Sequence, residues 1–115
     1  MPAFQTIVVP VSDLESAKRI YTAALGAEPH TDQSYYVGYN VDGCEFGLAP
    51  KAMANHPTGP VAYLDVPDAA QGVQDLVAAG ATVVQDATEV GGGTTVAVLA
   101  DADGNVFGLR SYRAG

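Results

Sequence analysis

The sequence predicts an α+β fold built from two tandem βαβββ modules that together form a concave mixed-sheet cup. Three observations carry this. Each half of the chain opens with a β-branched strand followed by a capped amphipathic helix. The tripeptide Phe-Gly-Leu stands at 46–48 and again at 107–109. An Asp-Gly turn precedes each copy, at 42–43 and at 103–104. A repeated tripeptide alone means little; its agreement with caps, helices and turns in the same order is the mark of an internal repeat.

The first module begins at Gln5-Thr6-Ile7-Val8-Val9, a β-branched strand that Pro10 is expected to break as an edge or bulge. Ser12-Asp13-Leu14-Glu15 matches a capping box with Ser12 as N-cap, and Asp13 has Asp68 as its counterpart in the second half. Leu14, Ala17, Ile20, Tyr21 and Ala24 recur at helical spacing, and Gly26 sits where a left-handed C-cap belongs. Strands are expected from Tyr35 to Val41 and from Cys44 to Ala49, joined by Asp42-Gly43, a strong hairpin signal.

The second module repeats the plan. Val61 to Val66 reads as a strand, Asp68 caps a helix with Val73, Leu76 and Val77 inward, and Gly80 ends it. Thr82 to Gln85, Thr94 to Ala100 and Val106 to Tyr112 read as strands, with Gly91-Gly92-Gly93 as a pliable connection. The chain of 115 residues is then one domain, with module one at 1–50, a linker at 51–59 and module two at 60–115.

Composition excludes several classes. Five bases against 13 acids give a net charge of −8, which leaves no basic footprint for nucleic acid. No apolar run reaches 18 residues, so no membrane partner is expected, and the N-terminus does not read as a signal peptide. A single cysteine, Cys44, forms no internal disulfide and suits a reducing cytoplasm, the expected location. At its place in the strand it reads as a small core residue. His30 and His56 read as surface histidines, His56 lying in the linker beside Pro57. The triple glycine is no phosphate loop, because a strand follows it and no Lys-Ser/Thr does.

The stretches VSDLESAKRIYTAALGAEP and GGGTTVAVLADADGNVFGL resemble the first helix and closing hairpin of the glyoxalase, bleomycin-resistance and extradiol-dioxygenase proteins. These form the vicinal oxygen chelate superfamily; Ala102 stands where that family usually has proline. The resemblance covers nearly the whole chain and implies the fold more than any one activity, since the fold hosts many chemistries. It also implies homodimer formation. It places the metal ligands of metal-dependent members on the first and last strands of each module, here Gln5, Gly47, Val61 (or Pro60) and Gly108. Glycine and valine offer no ligating side chain, and the one remaining donor, the Gln5 amide oxygen, cannot hold a divalent ion alone, so no metal and no cofactor are expected.

Residues sharing parity with the two glycines should face the cup. In module one these are Tyr36, Asn40, Glu45 and Gly47, with Gly38 and Ala49; Val37, Tyr39, Val41, Cys44, Phe46 and Leu48 go under the helix. The leading strands should add Gln5, Ile7 and Val9, and Val61, Tyr63 and Asp65. Gly108 brings Val106, Arg110 and Tyr112. Candidate ligand-binding residues are therefore Gln5, Ile7, Tyr36, Asn40, Glu45, Gly47, Tyr63, Gly108 and Arg110. Glu45 is expected to pair with Arg110; Glu45 with Gln5 is the alternative donor pair for a displaced metal.

Three functions stand open at this point. The first is a metal-free small-molecule binder, similar to the bleomycin-resistance branch, taking an aromatic or cationic, antibiotic-like ligand. The second is a glyoxalase-type lyase or isomerase, metal-dependent or with Glu45 as general base. The third is a structural or interaction protein without a ligand.

Overall fold

A computed structural model describes residues 3–51 and 59–112. Its residues group into two compact units, one spanning Gln5–Pro60 and the other running from Val61 and taking in Ala3 and Phe4.

The first unit contains β1 (Ala3–Val11) from Gln5 onward, α1 (Leu14–Leu25), β2 (Thr31–Gln33), β3 (Tyr36–Val41) and β4 (Cys44–Pro50). Strand β1 pairs with β4 in parallel, β4 with β3 and β3 with β2 antiparallel, so the sheet order is β2-β3-β4-β1. Pro10 does not end β1: its partner is Ala49 and the register continues to Val11. Successive N–H groups in a strand point to opposite sides, so one missing donor removes at most one ladder bond. Asp13, not Ser12, caps α1, its carboxylate accepting from the Ser16 amide at 3.1 Å. Gly26 closes the helix in the left-handed conformation, φ +65°, with its N–H bonded to Thr22 O. Asp42 and Gly43 both take positive φ, as a two-residue hairpin turn of the right twist requires.

Ala17, Val37, Tyr39 and Leu48 form the buried centre of this unit, with Val9, Val11, Leu14, Tyr21, Leu25 and Phe46 around them. Burying Tyr39 completely requires a partner for its hydroxyl, supplied by Thr22 Oγ1 at 2.8 Å and the Lys18 carbonyl at 3.2 Å. Ile20, expected inward, is 62% exposed. At 100° per residue it lies about a quarter-turn from the centre of the Leu14–Ala17–Tyr21–Leu25 stripe. Val41 is exposed too, at the hairpin end.

The second unit repeats the topology. It contains β5 (Val61–Asp65), α2 (Ala69–Ala78), β6 (Thr82–Gly91), β7 (Thr94–Ala100) and β8 (Val106–Tyr112). Its order is β5-β8-β7-β6, with β5–β8 parallel and the other pairs antiparallel. Strand β6 runs beyond Gln85 to Gly91 and carries three register shifts against β7. Such irregularities bend a long edge strand and discourage it from templating another chain. Asp68 caps α2 through the Gln71 amide, and the buried Ser111 hydroxyl of β8 accepts from the Ala69 amide at 3.0 Å. The C-cap is Ala79, one residue before Gly80.

Ala69, Val73, Ala97, Leu99 and Leu109 form the second core, with Leu64, Leu76 and Phe107 packed on it. Gly72 belongs to the same stripe, since a Cβ there would stand 2.8 Å from Leu109 Cδ1. Val77, expected inward, sits at the edge of that stripe and is 47% exposed. Among the described residues no helix is long and apolar enough to cross a membrane.

Candidate functional site

The register fixes which side chains share the sheet face turned away from α1. On β4 and β3, Glu45 pairs with Asn40 and Gly47 with Gly38, as the hairpin turn implied. On β1 the partners of Glu45 and Gly47 are Thr6 and Val8. Gln5 and Ile7 therefore share the parity of Val9, which packs in the helix-side core. The expected cup-facing set of Gln5, Ile7 and Val9 is displaced by one residue. A strand alternates its faces, so a slip of one residue exchanges every side chain. Gln5 and Glu45 consequently stand on opposite faces and do not form a donor pair.

The glycines let one side chain cross the sheet surface. Tyr36 starts two residues from Gly38 on β3, leans over Gly38 and Gly47, and reaches the carboxylate of Glu45. A Cβ on Gly47 would fall 2.5 Å from Tyr36 Cε1 and closer still to its hydroxyl. A Cβ on Gly38 would meet Glu45 Oε2 and Tyr36 Cε2 at 2.6 Å and His30 Cε1 at 2.9 Å. No side chain larger than hydrogen fits at either position while that arrangement stands.

At the end of this trough Glu45 accepts two hydrogen bonds. Tyr36 donates its O–H to Oε2 at 2.5 Å, and His30 Nε2 lies 2.7 Å from Oε1. The other ring nitrogen, Nδ1, is 2.8 Å from Thr31 Oγ1. Nε2 directs its proton at the carboxylate, and Nδ1 and the Thr31 hydroxyl share the second bond. The Glu45 side chain is 25% exposed and that of His30 46%, so the network reaches solvent through the imidazole. Asn40 spends its Oδ1 on the Gly43 amide, stabilising the turn. Thr6 Oγ1 is buried and has no hydrogen-bond partner.

His30 is at the surface, as the sequence reading had it, and in addition is bonded to Glu45, which that reading did not foresee. Its signal was positional. It stands one residue before a short strand whose first residue, Thr31, pairs with Gly38, and its own amide donates to Gly38 O at 2.8 Å. His56 falls outside the described residues.

In the second module, Tyr63 is opposite Gly108 and Asp65 opposite Arg110, as expected. The Tyr63 ring lies over Gly108, where a Cβ would be 2.5 Å from Cε1 and 2.9 Å from Cγ. Tyr63 is only 5% exposed, and burial pushes its phenol up to about 12. Arg110 Nε is 3.4 Å from Asp65 Oδ1, and its guanidinium carbon lies 4.8 Å from the centre of the Tyr112 ring. Neither Nε nor Oδ1 has a properly directed hydrogen-bond partner, so this is an ion pair of poor geometry. The expected pairing of Glu45 with Arg110 is replaced by one partner set within each module: His30 and Tyr36 for Glu45, Asp65 for Arg110.

A divalent metal does not fit the described residues at the positions that the resemblance implies. The positions on the last strands are glycines covered by tyrosine rings, and Val61 is wholly buried hydrocarbon. Thr6, the β1 residue that shares the Glu45 face, offers one neutral hydroxyl. Among the described residues no three His, Cys, Asp or Glu side chains gather as a metal site. Three or more such ligands are needed to hold a catalytic divalent ion.

Solved structures share this fold at low identity. A Legionella pneumophila protein described as an NAD-dependent benzaldehyde dehydrogenase superposes with a TM-score of 0.77 at 12% identity, covering 94% of this chain and 98% of that one. A hypothetical protein from Bacillus halodurans C-125 gives 0.78 at 13%, covering 99% and 96%. Methylmalonyl-CoA epimerase from Mycobacterium tuberculosis gives 0.72 at 17%, covering 96% and 88%. At such identities the likeness establishes the fold alone. No curated protein matches the sequence. The family model for the Glyoxalase/Bleomycin resistance protein/Dioxygenase superfamily matches residues 3–109, and with both βαβββ units in place the chain belongs to that superfamily.

Proposed function

We propose that this protein binds a small organic molecule without the help of a bound metal, in the manner of the bleomycin-resistance branch of its superfamily. One observation carries the reading: at Gly47 and Gly108 the space a ligating side chain needs is filled by the rings of Tyr36 and Tyr63. The residues that give up metal chemistry are the same ones that seat an aromatic surface and a held carboxylate. Tyr faces and a hydrogen-bonded polar group at a glycine floor are the ingredients of small-molecule recognition.

The test is to purify the protein from cells supplied with zinc, nickel, manganese and iron. Metal is then measured by elemental analysis, and small molecules by native mass spectrometry. The expected result is far less than one metal per chain together with a retained organic ligand. About one tightly held metal per chain would overturn the reading.

A second reading is favoured by the bond between His30 and Glu45. A carboxylate oriented by a phenol and wired to a solvent-exposed imidazole can take a proton from a substrate and pass it to water. Glu45 is then the general base of a metal-free lyase or isomerase. Turnover that survives Glu45→Gln unchanged excludes it.

A further inference from the structure

We infer that the ligand is a protonated amine, its ammonium group seated between Glu45 and Thr6. This rests on the binding reading above and specifies its chemistry. Each Glu45 oxygen accepts one hydrogen bond, from His30 or from Tyr36, and a carboxylate oxygen has lone pairs for two. The acceptor capacity left over belongs to a group that is 25% exposed and within reach of a ligand. Across the register, directly opposite Glu45, stands Thr6, whose buried hydroxyl has no partner of its own. A buried polar atom left unpaired by protein groups is costly, and a donor group on a guest satisfies it.

The charge balance selects the guest. Apart from Glu45 and the imidazole of His30, the face turned away from α1 carries uncharged side chains. Of the unit's cations, Lys18 and Arg19 stand on α1, where Lys18 is engaged by Asp32 at 2.9 Å, and Lys51 lies exposed just past the end of β4, six residues along from Glu45. Arg110, the expected counter-ion, is committed to Asp65 in its own module. His30 neutralises Glu45 only when protonated. An ammonium group supplies one positive charge and three N–H donors, against the spare lone pairs of Glu45 and the oxygen of Thr6. An anion meets a carboxylate without a neighbouring fixed cation. An alcohol leaves the charge unmatched.

Three isosteric probes separate the possibilities: benzylamine, benzyl alcohol and benzoate, titrated calorimetrically at neutral pH into the full chain stripped of any co-purified molecule. Benzylamine is expected to bind saturably and about tenfold or more tighter than benzyl alcohol, with benzoate showing no binding. Glu45→Gln should reduce benzylamine affinity about tenfold or more, and Thr6→Val about threefold or more. Both replacements are close in shape to the original, and their melting curves and circular dichroism report whether the fold is kept. If either unfolds, the amide chemical shifts of Thr6 and Glu45 in the unaltered protein on benzylamine titration decide the matter: movement supports the site, stillness overturns it. Benzyl alcohol or benzoate binding within threefold of benzylamine, or Glu45→Gln retaining full affinity, overturns the amine while the binding reading stands. No saturable binding of any probe, together with no retained molecule in the purified protein, overturns both.

Discussion

Replacing Gly108 by alanine tests whether a tyrosine ring truly occupies the space of a lost ligand. The added methyl carbon would sit 2.5 Å from Tyr63 Cε1 and 2.9 Å from Cγ, well inside contact distance. Alanine in place of glycine within a strand otherwise gains roughly 0.5–1 kcal/mol through the unfolded chain. Against that stand about 1–3 kcal/mol of overpacking if the ring stays, or about 2–3 kcal/mol of lost burial if it is expelled. Tyr63 is only 5% exposed, so the net cost should be about 1–2 kcal/mol. For a domain of this size that lowers the melting temperature by roughly 4–12 °C. Urea unfolding of Gly108→Ala, Tyr63→Ala and the double variant gives the coupling directly. In the Tyr63→Ala background the alanine at 108 should be neutral or stabilising. Strict additivity of the two changes would refute the idea that the ring fills the glycine's place.

Other expectations follow from the same geometry. Gly47→Ala should cost less than Gly108→Ala, about 1 kcal/mol, because Tyr36 is partly exposed and can swing aside at the expense of its bond to Glu45; comparative urea midpoints check the order. The Tyr63 phenol, raised by burial to about 12, is neutral in the folded state where the unfolded one ionises. Its stabilising effect is complete below pH 10 and lost as pH climbs toward 12, with a magnitude of about 1–2 kcal/mol after partial solvent screening. Subtracting the urea-unfolding profile of Tyr63→Phe between pH 9 and 11.5 isolates it, and an unchanged slope would count against it. Arg110→Ala should destabilise by about 2 kcal/mol by leaving Asp65 Oδ1 buried beside no cation, and Arg110→Ala with Asp65→Asn should recover part of the loss; thermal unfolding of the two variants measures it.

The fold was legible because its local signals agree with one another. Asp68, Gly26 and the Asp42-Gly43 turn each fix a boundary through backbone chemistry that tertiary context does not override. The hairpin of β3 and β4 followed from its turn, and with it the pairing of Glu45 with Asn40 and Gly47 with Gly38. Strand β1 was a different case. It pairs with β4 through a crossover, so no turn sets its register, and Ile7, Val8 and Val9 look alike on either face. The slip from Gln5 to Thr6 comes from that silence. The partner of Glu45 was missed for a related reason. Charge alone nominated Arg110, whereas the pair that formed depends on β2, a strand of three residues that brings His30 next to Gly38.

The two copies of Phe-Gly-Leu show where the modules diverged. In each, Phe and Leu go under the helix and the glycine between them faces away, so the copies are structurally equivalent. The rings covering them are not. Tyr36 comes from β3, two residues along from the partner of Gly47, while Tyr63 comes from β5 and is itself the partner of Gly108. Equivalent glycines are thus covered from non-equivalent strands. What each ring then touches differs in kind. Tyr63 is buried with a phenol held protonated well above neutrality, a filling role. Tyr36 spends its hydroxyl on Glu45, in line with His30 and solvent. Substitutions at Tyr63 should therefore register mainly in stability and those at Tyr36 mainly in ligand affinity. A Tyr36→Phe variant that binds normally while Tyr63→Phe does not would place the working site in the other module.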